Sequence, residues 1–324
     1  MAGKDFNFEE AGLHARQLIL IGSAHRAGTI YALAEEAGLN TLVRKLKADR
    51  RALWIVLEAL CPIGLVEKHN DKYVVSSRGK ALFLDHDNSN YLGDSIPHLL
   101  NIMKSWLELP EVIKTGRPGM LKRSTDDLLS FIKAMDSRPQ KVVDEAVELC
   151  RNRKKDAKRV LDLGGGPGKF AKTFLKKVEN VVLFDHPKVI ELAKNVFGLK
   201  DLKGITFVKG DFTGAGFTKN LGNFDIILMG NIFHSLSPEE NKTLLQRIRK
   251  ITNPGGVAAI IDFVRGRSSM AELFAVNMLA NTEGGGTYTE AEYREWLIEA
   301  GFGKIEIHDL TPGTAQLITG IYSS

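Results

Sequence analysis

Three glycines recur at alternate positions in the stretch VLDLGGGPGKF: Gly164, Gly166 and Gly168, directly behind an apolar run. Glycine admits positive φ and leaves the backbone open to a ligand. Backbone N–H groups where a strand turns into a helix also favour an anionic group. The spacing is G-x-G-x-G and departs from the G-x-G-x-x-G turn of dinucleotide folds. The next β-rich run, VVLFD, closes on Asp185. A carboxylate at such a strand end can accept hydrogen bonds from both hydroxyls of a ribose. The third run, ITFVKGDF, closes on Asp211 and Phe212. That carboxylate can accept from an adenine amino group, and the ring can cover the base. Taken singly, Asp185 and Asp211 read as turn residues. At the tips of successive strands of one sheet, the three features read together as a nucleoside site.

The elements that would position these residues begin near residue 159. Short β-rich runs alternate there with helical stretches: RVLDLG, NVVLFD, ITFVKGD, FDIILMG and GVAAIIDFV, followed by KIEIHDL and AQLITGIY. The alternation predicts an α/β fold with a mostly parallel sheet covered on both faces, the last two strands forming an antiparallel pair. Ser237-Pro238-Glu239-Glu240 and Thr289-Glu290-Ala291-Glu292 have the spacing of helix-starting capping boxes. NPGG, 253–256, predicts a break between a helix and the next strand.

Residues 1–150 have a different texture. ARQLILIGSAHRAGTIYALAEEAGL carries apolar residues at helical spacing, and GLVEK and KYVVS flank a polar turn, HND. Helices followed by a hairpin outline a winged helix, a module that often reads DNA. Residues 52–60, ALWIVLEAL, are apolar except for Glu58. A helix apolar nearly all round is expected to be buried, so the module is read as a packing or dimerisation element and not as a nucleic-acid reader. The basic run RNRKKDAKR, 151–159, reads as a solvated boundary.

The totals narrow the class. The chain has 324 residues, 26% of them charged, with a net charge of +5, ordinary for a globular protein and too weakly basic to argue for nucleic acid. Two cysteines, Cys61 and Cys150, build neither a disulfide framework nor a metal cluster, which fits a reducing, cytoplasmic setting. The N-terminus is polar and acidic, unlike a secretory signal. No apolar run approaches the roughly 20 residues of a membrane helix.

Read as an ordered set, VLDLGGGPG, FDHPKVIELA, VKGDF, FDIILMGNIFHSLSPEENKTLLQRIRKITNPGG and EYREWLIEAGF resemble the class I S-adenosylmethionine-dependent methyltransferases. More narrowly, the chain resembles the small-molecule O-methyltransferases of the caffeate and hydroxyindole type. The resemblance spans nearly the whole chain. It implies a Rossmann-like domain with a seven-stranded, mostly parallel sheet at 156–324, an N-terminal winged-helix dimerisation domain at 1–90 and a helical connector lining the substrate pocket at 91–155. It also implies a homodimer and a small, aromatic acceptor. No histidine or cysteine pair has metal-ligand spacing and displacement at a sulfonium needs no metal, so no metal is expected, nor a nucleic-acid or membrane partner. Gly164, Gly166 and Gly168 would pass the methionine part of the cofactor, Asp185 would hold the ribose, and Asp211 with Phe212 the adenine. The segment Phe131-Ile132-Lys133-Ala134-Met135 fits the family's F-x-x-x-M, so Phe131 and Met135 would wall the space beside the methyl group. Helix-spaced core packing is the alternative for that pair.

Methyl transfer from a sulfonium is an in-line displacement, and a phenolic acceptor with pKa about 10 needs a base near neutral pH. His234, just past the carboxyl end of the fourth strand, is the candidate base. A family carboxylate at the end of the fifth strand falls on Asp262, which would orient His234 or the acceptor. Plant members follow the histidine with Asp-Trp, where this chain has Ser235 and Leu236. A second carboxylate that orients the histidine is replaced by Thr287, whose hydroxyl could bond the imidazole, or by Glu283 nearby. These departures keep two alternatives open: C- or N-methylation on the same scaffold, and cofactor binding without methyl transfer. GGG, 284–286, reads as a mobile or tightly turned loop over the pocket.

Overall fold

The computed structural model describes residues 6–88, 90–119 and 124–323. Residues 1–5 of the polar N-terminus lie outside that set. In chain order the first elements are α1 (Phe8–Arg26), α2 (Thr29–Ala32), β1 (Ala37–Gly38), α3 (Leu39–Leu46), α4 (Arg50–Leu60), β2 (Val66–His69), β3 (Lys72–Val75) and α5 (Ser77–Phe83). Next come α6 (Ile96–Leu107), α7 (Leu109–Thr115), α8 (Thr125–Asp136) and α9 (Gln140–Arg153). The remainder alternates: β4 (Arg159–Leu163), α10 (Lys169–Phe174), β5 (Asn180–Asp185), α11 (Pro187–Asn195), β6 (Ile205–Lys209) and β7 (Phe224–Gly230). A 3₁₀ turn (Phe233–Ser235) precedes α12 (Pro238–Arg249), β8 (Thr252–Asp262), α13 (Ala271–Asn281), α14 (Glu290–Glu299), β9 (Phe302–Leu310) and β10 (Ala315–Tyr322).

The chain forms two compact units, Met1–Met103 with Ser124–Ser137, and Lys104–Arg123 with Arg138–Ser324. Among its described residues the stretch 91–155 carries α6 to α9, and it is shared between the two units.

In the N-terminal unit the single helical stretch expected from the sequence is split. Gly28, at φ 75°, ends α1 and caps α2. The hairpin is as expected: His69 pairs with Lys72 across a tight turn at Asn70 and Asp71, with Asn70 at φ 55°. Positive φ in a two-residue turn matches the right-handed strand twist. Helix α4 corrects an expectation. Only the face carrying Leu53, Leu57 and Leu60 is buried, while Trp54 and Ile55 remain 46% and 43% exposed. Residues 52–60 are apolar except for Glu58, yet the helix is buried on one side.

The C-terminal unit holds a seven-stranded sheet of order β6-β5-β4-β7-β8-β10-β9. Every pairing from β6 to β8 is parallel, and β10 runs antiparallel between β8 and β9. Alternate strand residues feed opposite faces. Leu161, Leu163, Val182 and Phe184 pack with Leu244 and Leu245 of α12 and Trp296 of α14. Val160, Val181 and Leu183 pack with Val147 of α9, Phe174 of α10 and Ile190 of α11. The chain leaves β4 toward β5 on one side and returns to β7 on the other, so a crevice opens at their carboxyl ends, where α/β sheets bind ligands.

Three expectations change in this unit. NPGG lies inside β8, because Phe224 pairs with Thr252 while Ile226 pairs with Val257; the extra residues bulge out around Gly255 at φ 72°. The basic run 151–159 is solvated only in part: Asn152, Lys155, Asp156 and Lys158 are exposed, and two of its arginines are tied to the fold. Arg151 donates to the carbonyls of Lys154 and Ala157, at 3.1 and 2.9 Å, and Arg153 is tied to Glu306 and the Lys304 carbonyl. Strand β6 ends at Lys209, so Asp211 and Phe212 sit just beyond it.

Candidate active site

The glycine turn joins β4 to α10, and its three alternating glycines all have positive φ, 68°, 56° and 80°. At Gly164 a Cβ would lie 2.7 Å from Ile232 and 3.5 Å from Phe212, so the backbone passes close to both. At Gly166 a Cβ would meet nothing within 4 Å; this part of the turn faces open space. The turn is fastened to the tip of β5. Gly164 N–H donates to the Phe184 carbonyl at 2.8 Å, and Gly166 N–H to Asp185 Oδ2 at 2.8 Å. Asp185 Oδ1 accepts the His186 N–H at 2.6 Å. Burial pushes the Asp185 carboxyl above its ordinary pKa, and the Gly166 and His186 N–H groups pull it back.

Asp162 was not singled out from the sequence. Helix α10 is capped by Gly168, which has no side chain to offer. Asp162, buried in β4, supplies the missing acceptor by taking the Ala171 N–H at 3.0 Å. Its desolvation pushes the carboxyl up to about 7. The legible signal was an acid inside the apolar run VLDLG.

Asp211 is exposed and forms a local turn, its Oδ1 accepting the Thr213 N–H at 2.9 Å and hydroxyl at 2.7 Å. These bonds lower its pKa. Phe212 lies beside Gly164 and Ile232, so the tips of β4, β5 and β6 converge on one rim.

His234 occupies the 3₁₀ turn that follows β7. Its Nδ1 is 2.7 Å from Asp262 Oδ1, and its backbone N–H donates to Asp262 Oδ2 at 3.0 Å. Asp262, at the end of β8 and fully buried, also accepts the Phe263 N–H at 2.8 Å. This bonding assigns the ring proton to Nδ1 and leaves the Nε2 lone pair as an acceptor. Phe274 of α13 meets the imidazole edge-on at 4.8 Å, and Phe263 stacks obliquely on Phe274 at 4.5 Å. A base backed by a carboxylate and walled by aromatic rings can take a proton from a flat, apolar molecule.

The other proposed partners of the imidazole lie elsewhere. Thr287 is fully buried, but its hydroxyl donates to the Ala271 carbonyl at 3.1 Å. Glu283 is exposed, with no hydrogen bond to His234 among the described residues. The loop 284–286 is tightly turned: Gly286 N–H donates to the His234 carbonyl at 2.9 Å. Phe131 and Met135 lie on α8 in the N-terminal unit, where Phe131 packs edge-on against His98 at 5.3 Å.

Two further residues carry unspent polarity at this rim. Arg138, just before α9, has a buried Nη1 with no partner. Its guanidinium lies 5.6 Å from the Phe170 ring, and Phe170 approaches Gly230 at the end of β7. Asn231 follows β7 at φ 58° and buries an unpartnered Oδ1.

A model of the O-methyltransferase domain matches residues 103–303, more than half of the chain. The chain belongs to this O-methyltransferase family. Among curated relatives of the family, bovine (Bos taurus) acetylserotonin O-methyltransferase is 29% identical over 217 residues, 61% of each chain. A 3-hydroxy-5-methyl-1-naphthoate 3-O-methyltransferase of Streptomyces sahachiroi is 23% identical over 92% of this chain and 90% of that one. In the first relatives matched, the matched region spans about three-fifths or less of the relative's length. The solved structure of human N-acetylserotonin methyltransferase in complex with SAM superposes with a TM-score of 0.80 at 21% identity, covering 99% of this chain and all of that one. That likeness is one of fold and runs over nearly all of this chain.

Proposed function

We propose that this O-methyltransferase family member transfers a methyl group from S-adenosylmethionine to a hydroxyl of a small aromatic molecule, with His234 as general base. The observation that carries the reading is the bond between His234 and Asp262 on the rim that also carries the glycine turn and Asp185. The names of relatives that act on acetylserotonin and on a hydroxynaphthoate support an aromatic hydroxyl as acceptor.

The residues present fit the cofactor. Asp185 keeps lone pairs for ribose hydroxyls, and Asp211 keeps Oδ2 for the adenine amino group, with Phe212 beside it. The open backbone at Gly166 and the unpartnered Nη1 of Arg138 suit the amino-acid end, the guanidinium meeting its carboxylate. Once bound, the cofactor supplies a methyl on a sulfonium. His234 Nε2 takes the acceptor's hydroxyl proton, and Asp262 holds the ring and balances the charge that forms. Phe263 and Phe274 exclude water from that side. Incubation with methyl-labelled cofactor and acceptors bearing hydroxyl, amino or activated carbon groups tests the reading and separates O- from N- and C-methylation.

A homodimer and a winged-helix role for the N-terminal unit belong to the same reading. Phe8, Leu13 and Ile19 of α1 are exposed, and a second copy of the chain is the occupant proposed to cover these apolar side chains. No helix among the described residues is long and apolar enough to cross a membrane. Cys61 and Cys150 are both free, which supports a cytoplasmic setting.

A further inference from the structure

Asn241 is fully buried four residues into α12. The start of that helix is fixed by a capping box, Ser237 accepting the Glu240 N–H and Glu240 reaching back to the Ser237 N–H. The box sets the helix phase, and the phase aims Asn241 back at the 3₁₀ turn. There its Nδ2 donates to the Phe233 carbonyl at 3.0 Å and the Leu236 carbonyl at 3.4 Å. Those carbonyls bracket His234 and Ser235. The amide orientation follows from its partners, because only the NH₂ end can face two carbonyl oxygens. Its Oδ1 is buried without a partner, a cost that an apolar side chain at the same place would avoid.

We propose that Asn241 is a positioning residue for His234, tying both ends of the turn that carries the imidazole. The proposal rests on His234 being the base. The clamp has a second jaw. Gly286 N–H holds the His234 carbonyl, and Gly285 lies so close that a Cβ there would be 2.3 Å from that oxygen. Backbone N–H, backbone carbonyl and flanking carbonyls of the histidine are thus all held, leaving Nε2 as its outward group. Asp262 alone fixes one side of the ring; Asn241 keeps the peptide segment from rotating away beneath it.

The test compares Asn241→Asp, which keeps the shape and loses both donors, with Asn241→Ala and Gly285→Ala. Melting curves first establish folding. The expected result is a fall in kcat of about ten- to a hundredfold with S-adenosylhomocysteine affinity held by calorimetry. A shifted acid limb in the pH–rate profile and an altered ¹⁵N resonance of the His234 imidazole should accompany it. Folded variants with wild-type kcat, pH profile and imidazole resonance overturn the proposal. If the wild type transfers no methyl group, the functional reading fails, while the imidazole resonance still decides the positioning claim. If Asn241→Asp does not fold, the other two variants carry the same comparison.

Discussion

The Asp262 carboxylate holds His234 twice, by its ring Nδ1 at 2.7 Å and by its backbone N–H at 3.0 Å. One buried group therefore fixes the tautomer of the ring and anchors the backbone N–H at one point of the segment beneath it. Asp262→Asn keeps the shape and loses the charge that balances a protonated imidazole. The expected fall in kcat is about 10²- to 10⁴-fold, with cofactor affinity unchanged by calorimetry. A variant within about twofold of wild type would remove Asp262 from the mechanism.

Arg138 should separate binding from chemistry. Arg138→Ala is expected to weaken S-adenosylhomocysteine binding by about 1.5–3 kcal/mol, the worth of a charge-assisted hydrogen bond, or roughly 10- to 150-fold in Kd. At saturating cofactor, kcat should change little. Arg138→Lys should restore only part of the affinity, because a point charge replaces a planar fork. Unchanged calorimetric affinity in both variants would contradict this role.

Asp162 makes stability fall with rising pH. Its carboxyl is pushed up to about 7 in the folded chain, against roughly 3.9 when unfolded. Between those values the folded state binds the extra proton, so the contribution is full below about pH 4 and is lost as pH rises through about 7. Asp162→Asn keeps an acceptor for the Ala171 N–H and cannot ionise. Melting temperatures of the two proteins, compared from pH 5 to about 8, should diverge in favour of the variant as pH rises. Parallel curves would show that burial does not shift this group.

Much of the rim was legible because it is written in residue types that strand ends use. Glycines at 164, 166 and 168 and the acid at 185 declare a turn and an acceptor without any tertiary information. Capping boxes at Ser237 and Thr289 were equally plain, since they depend on four consecutive residues. What escaped depends on partners distant in sequence. Arg138 gains meaning only where Phe170 meets it, and Asn241 looks like any polar residue in a helix's first turn. Thr287 was expected at the imidazole, but the Ala271 carbonyl takes its hydroxyl. The apolar run of α4 could not say which face another surface would cover, and NPGG could not tell a bulge from a loop.

The exposed apolar side chains of α1 give a prediction about assembly. The protein should sediment as a dimer at micromolar concentration, and a Leu13→Asp, Ile19→Asp double variant should shift it to monomer with its melting curve retained. A wild-type monomer would contradict the proposed second copy.

The central claim is that one rim holds the methyl donor and His234 activates the acceptor. Its most direct test is single-turnover transfer from methyl-labelled S-adenosylmethionine to a panel of small hydroxylated aromatics, run side by side with wild type and His234→Asn. The account predicts a labelled methyl ether from the wild type and a rate lower by about 10²- to 10⁴-fold in the variant, with equal cofactor affinity. Equal rates in the two proteins, or no labelled product from the wild type with any hydroxyl acceptor, would contradict it.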